Sequence, residues 1–94
     1  MLSTVQLLDL AKEHQGGVTD YRISKLLGLK PQHVSGYRCN RNTPSNPVAM
    51  RLGELAGVDP VEAMAWVNLE RASTDEERKA WELVLQRCAR PAAS

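Results

Sequence analysis

The stretch Asp20–Tyr37, DYRISKLLGLKPQHVSGY, decides the fold. Ile23, Leu26 and Leu27 recur at helical spacing, Gly28 interrupts them, and Leu29 and Val34 resume the apolar pattern. The pattern predicts two short helices joined by a tight turn at Gly28. Leu29 anchors the turn in the core, and the small Ser24 stands where the helices cross. Proline is favoured in a first helical turn, where its missing N–H is not needed, so the second helix starts near Lys30 or Pro31. Val34 and Tyr37, spaced i, i+3, point inward. Gln32, His33, Ser35 and Gly36 are then the outward positions, polar or neutral, with Gly36 weakening the helix by about 1 kcal/mol relative to alanine.

Working outward, Leu7, Leu8, Leu10, Ala11 and His14 follow helical spacing from Ser3 or Thr4 onward, and Gly16-Gly17 closes that first helix. Thr19 or Asp20 caps the next. The run Cys39–Asn46, CNRNTPSN, is a polar loop rich in turn formers. A fourth helix is capped by Ser45 or Asn46, has Pro47 in its first turn, carries Val48, Leu52, Leu55 and Ala56 as its apolar stripe, and stops at Gly57. A fifth starts at Asp59-Pro60, with Glu62 completing a capping box, and its apolar residues are Val61, Met64, Ala65 and Trp66. A sixth starts at Thr74 with a second capping box to Glu77. It carries Trp81, Val84, Leu85 and Cys88 at i, i+3, i+4 and i+7, and ends at Pro91. No segment alternates with period two. The chain is predicted to be all-α, a compact bundle of five to six helices.

Ninety-four residues make a single domain. Residues 1–72 form its core bundle, 73–90 an additional amphipathic helix and 91–94 a frayed tail. The 43% apolar and 24% charged fractions are those of an ordinary globular protein. No apolar run approaches the ~20 residues that span a bilayer, so no membrane partner is expected. The N-terminus lacks a basic segment followed by an apolar one, which argues against a signal peptide and for the cytoplasm. The two cysteines, Cys39 and Cys88, match no metal spacing. Cys39 reads as a free thiol and Cys88 as core packing.

Net charge is only +1, but its distribution is uneven. Between Asp20 and Ser45 there are five cations (Arg22, Lys25, Lys30, Arg38, Arg41) against Asp20 alone, and after Gly57 acids outnumber bases. Such a gradient would orient the molecule on a polyanion. Solvated helix faces are the plainer explanation.

YRISKLLGLKPQHVSGYR followed by NRNTPS resembles the helix-turn-helix of lambda-repressor-like (Cro/C1-type) regulators, especially the small repressor-like proteins of bacteriophages and prophages. Gly28 matches the turn glycine, Ser24 the small position, Leu29 and Val34 the core anchors, and Tyr37 the bulky closing residue. The resemblance covers roughly residues 1 to 70. It implies a helix-turn-helix inside a bundle of about five helices, binding double-stranded operator DNA as a homodimer, without a cofactor or small-molecule substrate, and regulating transcription. Pro31 departs from the pattern, since relatives commonly place a polar residue there.

A recognition helix reads base edges in the major groove mainly with its N-terminal residues. Gln32, His33, Ser35 and Gly36 are therefore the candidates for base readout; Gln32 can bond adenine bidentately, and Gly36 permits close approach. Backbone contacts are assigned to Thr19 and Tyr21 at the start of the preceding helix, and to Lys30, Arg38, Asn40, Arg41 and Asn42 around the reading helix. Arg22 and Lys25 read as solvated charges.

Nothing in the chain suggests an enzyme: His14 and His33 lack companion groups, and no glycine-rich loop could cradle a phosphate. The competing class is a protein-interaction module, such as an antitoxin-like or phage-encoded inhibitor. The sixth helix keeps it open, because Trp81, Val84, Leu85 and Cys88, with Trp66, need a cover. That cover is the rest of the domain, a second copy or a foreign partner. A second copy would set two reading helices about 34 Å apart, one turn of DNA.

Overall fold

A computed structural model describes residues 2–89; the tail expected at 91–94 lies outside them. The described residues form six helices: α1 (Thr4–His14), α2 (Asp20–Leu27), α3 (Pro31–Arg38), α4 (Asn46–Ala56), α5 (Pro60–Arg71) and α6 (Asp75–Ala89). Among the described residues there is no strand, and no helix is long and apolar enough to cross a membrane.

The helix starts follow local chemistry. Ser3 and Gln6 form a reciprocal capping box at α1: Gln6 N–H donates to the serine hydroxyl at 3.2 Å and Ser3 N–H to the glutamine carbonyl at 2.9 Å. Thr19 caps α2 by accepting Arg22 N–H at 3.2 Å. Asp59 accepts the N–H groups of Val61 and Glu62 at the start of α5. The reciprocal half of that predicted box is absent, because Glu62 instead takes the indole N–H of Trp66 at 3.4 Å. At α6 the Thr74 hydroxyl accepts Glu77 N–H at 3.1 Å, and Glu77 accepts Ser73 N–H at 3.5 Å. Ser45 stands at the N-cap of α4 without a side-chain bond.

The core is built from Leu7, Leu8 and Ala11 of α1, Ile23 and Leu27 of α2, Val34 and Tyr37 of α3, Ala49, Leu52 and Ala56 of α4, and Ala63 and Val67 of α5. The centre is α1, α4 and α5. The α2–α3 pair lies across α1, while α6 packs on α5 alone. The thin dimension of 19 Å is about two helices deep.

Two predicted stripes shift. On α4, Ala49 and Gly53 join Leu52 and Ala56 inside, and Val48 and Leu55 are only partly covered. On α5, Val61 is 43% exposed. Ala63 and Val67 face the core, while Ala65 and Leu69 are buried outside that cluster. The reason is that α5 is covered by α4 on one side and α6 on the other, so no single stripe describes it.

The α4–α5 contact is as close as backbone allows. A Cβ added to Gly53 would stand 2.5 Å from Cβ of Ala63, with the carbonyl oxygen of Val58 at 3.3 Å. Neither neighbour is the far end of a flexible side chain, so the helices themselves must part. Gly53→Ala is predicted to destabilise the protein by roughly 1–3 kcal/mol despite alanine's better helix propensity, read by urea or thermal denaturation. Unchanged stability would show that the contact is looser than described.

Candidate nucleic-acid interface

The α2–α3 pair meets through a turn of fixed geometry. Gly28 adopts φ +71°, and the N–H groups of Gly28 and Leu29 donate to the carbonyls of Lys25 (3.1 Å) and Ser24 (2.8 Å). This Schellman arrangement satisfies the last carbonyls of α2. Ser24 is fully buried and donates its hydroxyl back to the carbonyl of Tyr21. Ile23, Leu27, Val34 and Tyr37 hold the pair to the core.

On α3, Pro31, Gln32, His33 and Ser35 are exposed and Val34, Gly36 and Tyr37 are buried. Gln32, His33 and Ser35 therefore share the outer surface, as their sequence positions suggested. Gly36 does not. Oδ1 of Asn42 lies 2.7 Å from where its Cβ would be, so Asn42 folds back and covers it. The reason is the end of α3: Asn40 takes a left-handed conformation (φ 57°), and the N–H groups of Asn40 and Arg41 donate to the carbonyls of Tyr37 (3.2 Å) and Gly36 (2.9 Å). This second Schellman turn, made with asparagine in place of glycine, returns the chain over Gly36.

Arg38 also departs from expectation. Its guanidinium donates to Asp9 of α1 at 2.6 Å, and to Asp20 of α2 at 2.9 and 3.2 Å. Lys12 completes the cluster, 3.3 Å from Asp20. Arg38 thus ties α3 to α1 and α2 and points into the protein's own carboxylates. Asp9 and Lys12 were not foreseen, because each pairs with a residue of another helix, Asp9 with one 29 positions away.

The remaining cations stay outward. Arg22, Lys25, Lys30 and Arg41 are exposed, and none of them is ion-paired among the described residues. The chain carries no Asp or Glu from Tyr21 to Gly53, where six cations fall. Asp20, immediately before that stretch, is paired with Arg38 and Lys12. Tyr21 is 58% exposed at the start of α2, with Nζ of Lys25 5.2 Å from its ring centroid, a cation–π pairing. Thr19, Lys30, Asn40 and Asn42 are also exposed. Gln32, His33, Ser35, Lys30 and Arg41 are polar or cationic and come from a stretch of chain without acids.

The residues assigned to a partner interface lie elsewhere. Trp66, Trp81, Val84, Leu85 and Cys88 are each half-buried, where α6 runs against α5. Burial, then the carboxylates of Asp59 and Glu62, push the Cys88 thiol up, which disfavours the reactive thiolate. Trp66 and Leu69 line an open groove with Leu83 and Leu85 of α6. Leu83, overlooked in the helical stripe, is 46% exposed.

Hydrogen bonds from Arg38 hold the Asp20 carboxyl below the usual carboxylate range, against the opposing effect of burial, and Lys12 adds to them. A depressed pKa means stability that is present above the unfolded value, about pH 4, and lost as pH falls through the folded value. Asp20→Asn is predicted to cost on the order of 1 kcal/mol at neutral pH, since the group is partly solvated. The gap to the parent protein should close as pH falls below about 4, in denaturant titrations at stepped pH. A gap independent of pH would refute the assignment. Compared with protein-family models, curated proteins and solved structures, the chain shows no match.

Proposed function

We propose that this chain is a sequence-specific DNA-binding transcriptional regulator of the repressor type, with α2 and α3 as its helix-turn-helix. In this reading α3 lies in the major groove of operator DNA. The observation that carries it is the exposed α3 surface of Gln32, His33 and Ser35, flanked by Lys30 and Arg41 in an acid-free stretch of chain. An eight-residue helix is about 12 Å long, commensurate with a groove about 12 Å wide. Gln32 reads a base edge, with adenine its best partner. Lys30, Arg41, Asn40, Asn42, Thr19 and Tyr21 meet phosphates, which position the protein without reading sequence. Gly36 and Arg38 leave the contact set, the first covered by Asn42 and the second held by Asp9 and Asp20.

The protein acts as a homodimer in this proposal, of the kind encoded by phages and prophages. The support is α6, which rests on α5 alone and leaves Leu83 beside an apolar groove. The same groove favours the second reading, an interaction module of the antitoxin-like or phage-inhibitor kind that grips a protein.

Selection of bound duplexes from a random library at ~100 mM salt decides between them; a DNA reader enriches one sequence. Gln32→Ala should then relax preference at one position by roughly 1–3 kcal/mol. Arg41→Ala should weaken all sequences alike and lower the salt slope by about one. A library recovered without enrichment would refute the reading. For the dimer, light scattering at micromolar concentration should give twice the chain mass. A strict monomer on and off DNA would refute that part.

A further inference from the structure

The loop between α3 and α4 is fastened at both ends, and the rear fastening comes from α5. Arg71, the last residue of α5, donates through Nη1 to the carbonyl of Pro44 at 2.9 Å. Its Nη2 donates to Oδ1 of Asn46 at 2.8 Å and to Oδ1 of Asn68 at 2.9 Å. Asn68, itself buried, donates through Nδ2 to Asn46 at 2.8 Å and to the carbonyl of Met64 at 2.8 Å. Pro44 is fully buried, so the loop cannot slide without breaking this arrangement. The front fastening is the turn at Asn40, with Asn42 seated on Gly36. Arg41, whose N–H closes that turn, and Asn42 are both exposed at the end of α3, and only Thr43 separates them from the rear fastening at Pro44.

A flexible loop would pay an ordering cost each time it met a phosphate. This one is ordered beforehand, and the fork of a guanidinium suits it to hold two acceptors in fixed directions. We infer that Arg71 is a positioning residue for the phosphate contact: it reaches no DNA, and through Pro44 and Asn46 it sets where Arg41 stands beside α3. The inference rests on the DNA-binding reading above.

The test is a double-mutant cycle on the full chain, with the duplex enriched by selection as probe and affinity followed against sodium chloride. Arg71→Met should keep the parent's sequence preference, weaken binding roughly threefold to tenfold, and lower the salt slope by up to about one. Arg41→Ala added to it should cause little further loss, because the contact is already displaced. Asn46→Asp, which keeps acceptors for Arg71 and Asn68, should bind with the parent's slope. If Arg71→Met does not fold, as judged by circular dichroism, Arg71→Lys enters the same cycle, keeping the charge but losing the fork. A merely structural Arg71 gives losses that add, with the Arg41 step in the slope intact, and that result overturns the inference while the DNA reading stands. Parent-like binding by Arg71→Met or Arg71→Lys overturns it equally. A parent protein that enriches no sequence overturns the DNA reading, and the inference falls with it.

Discussion

Two helices of eight residues do not hold their own shape in water, where isolated helices shorter than about 12–15 residues are marginal. The placement of α2 and α3 therefore depends on what they are fastened to. Each sinks two apolar side chains into the bundle, Ile23 and Leu27 from one and Val34 and Tyr37 from the other. Each also ends in a turn whose N–H groups take the helix's last carbonyls. The wall they lean on is rigid because α4 and α5 meet at Gly53 and Ala63 with no room to adjust. Packing of that density transmits position: a helix seated on it is aimed as well as stabilised.

Charge in this region divides into a part that holds and a part that is presented. Arg38 lies on a short helix beside the exposed surface, yet its guanidinium is spanned by Asp9 and Asp20 and contributes little field outward. That pairing also neutralises Asp20, the acid just before the stretch that carries the outward cations. The result is a surface with modest positive charge, even though the whole chain is nearly neutral. Charge of this kind steers a polyanion to one face.

Much of the architecture was legible in the sequence because it rests on short-range chemistry. Periodicity placed Leu7, Leu8, Ile23, Leu27, Val34 and Tyr37 inside, and Gly28, Pro47, Pro60 and Gly57 marked helix ends. What stayed hidden depends on contacts between distant residues. The partners of Arg38 come from two other helices, and Arg71 reaches back 27 residues to Pro44. Gly36 read as outward because its helical position is compatible with that; only the returning chain at Asn42 covers it. One local signal does point to the Arg71 contacts: Asn68 and Arg71 stand three apart at the end of α5, one helical turn, and buried amides need partners. Glu70 gave no such signal, although it accepts the hydroxyl and N–H of Thr4 and so ties the start of α1 to α5.

The attachment of α6 has a consequence for how stability is distributed along the chain. Among the described residues it touches α5 and no other helix, and the short segment Ala72, Ser73 and Thr74 joins them. Detaching it uncovers Trp66 and Leu69 but leaves the cluster around Leu7, Leu8 and Val34 intact. The free energy that keeps α6 in place is thus set by one interface, whereas any of the first five helices is held by several. Local stability steps down at Ala72, and the outer helix opens as its own unit while the five-helix body stays folded.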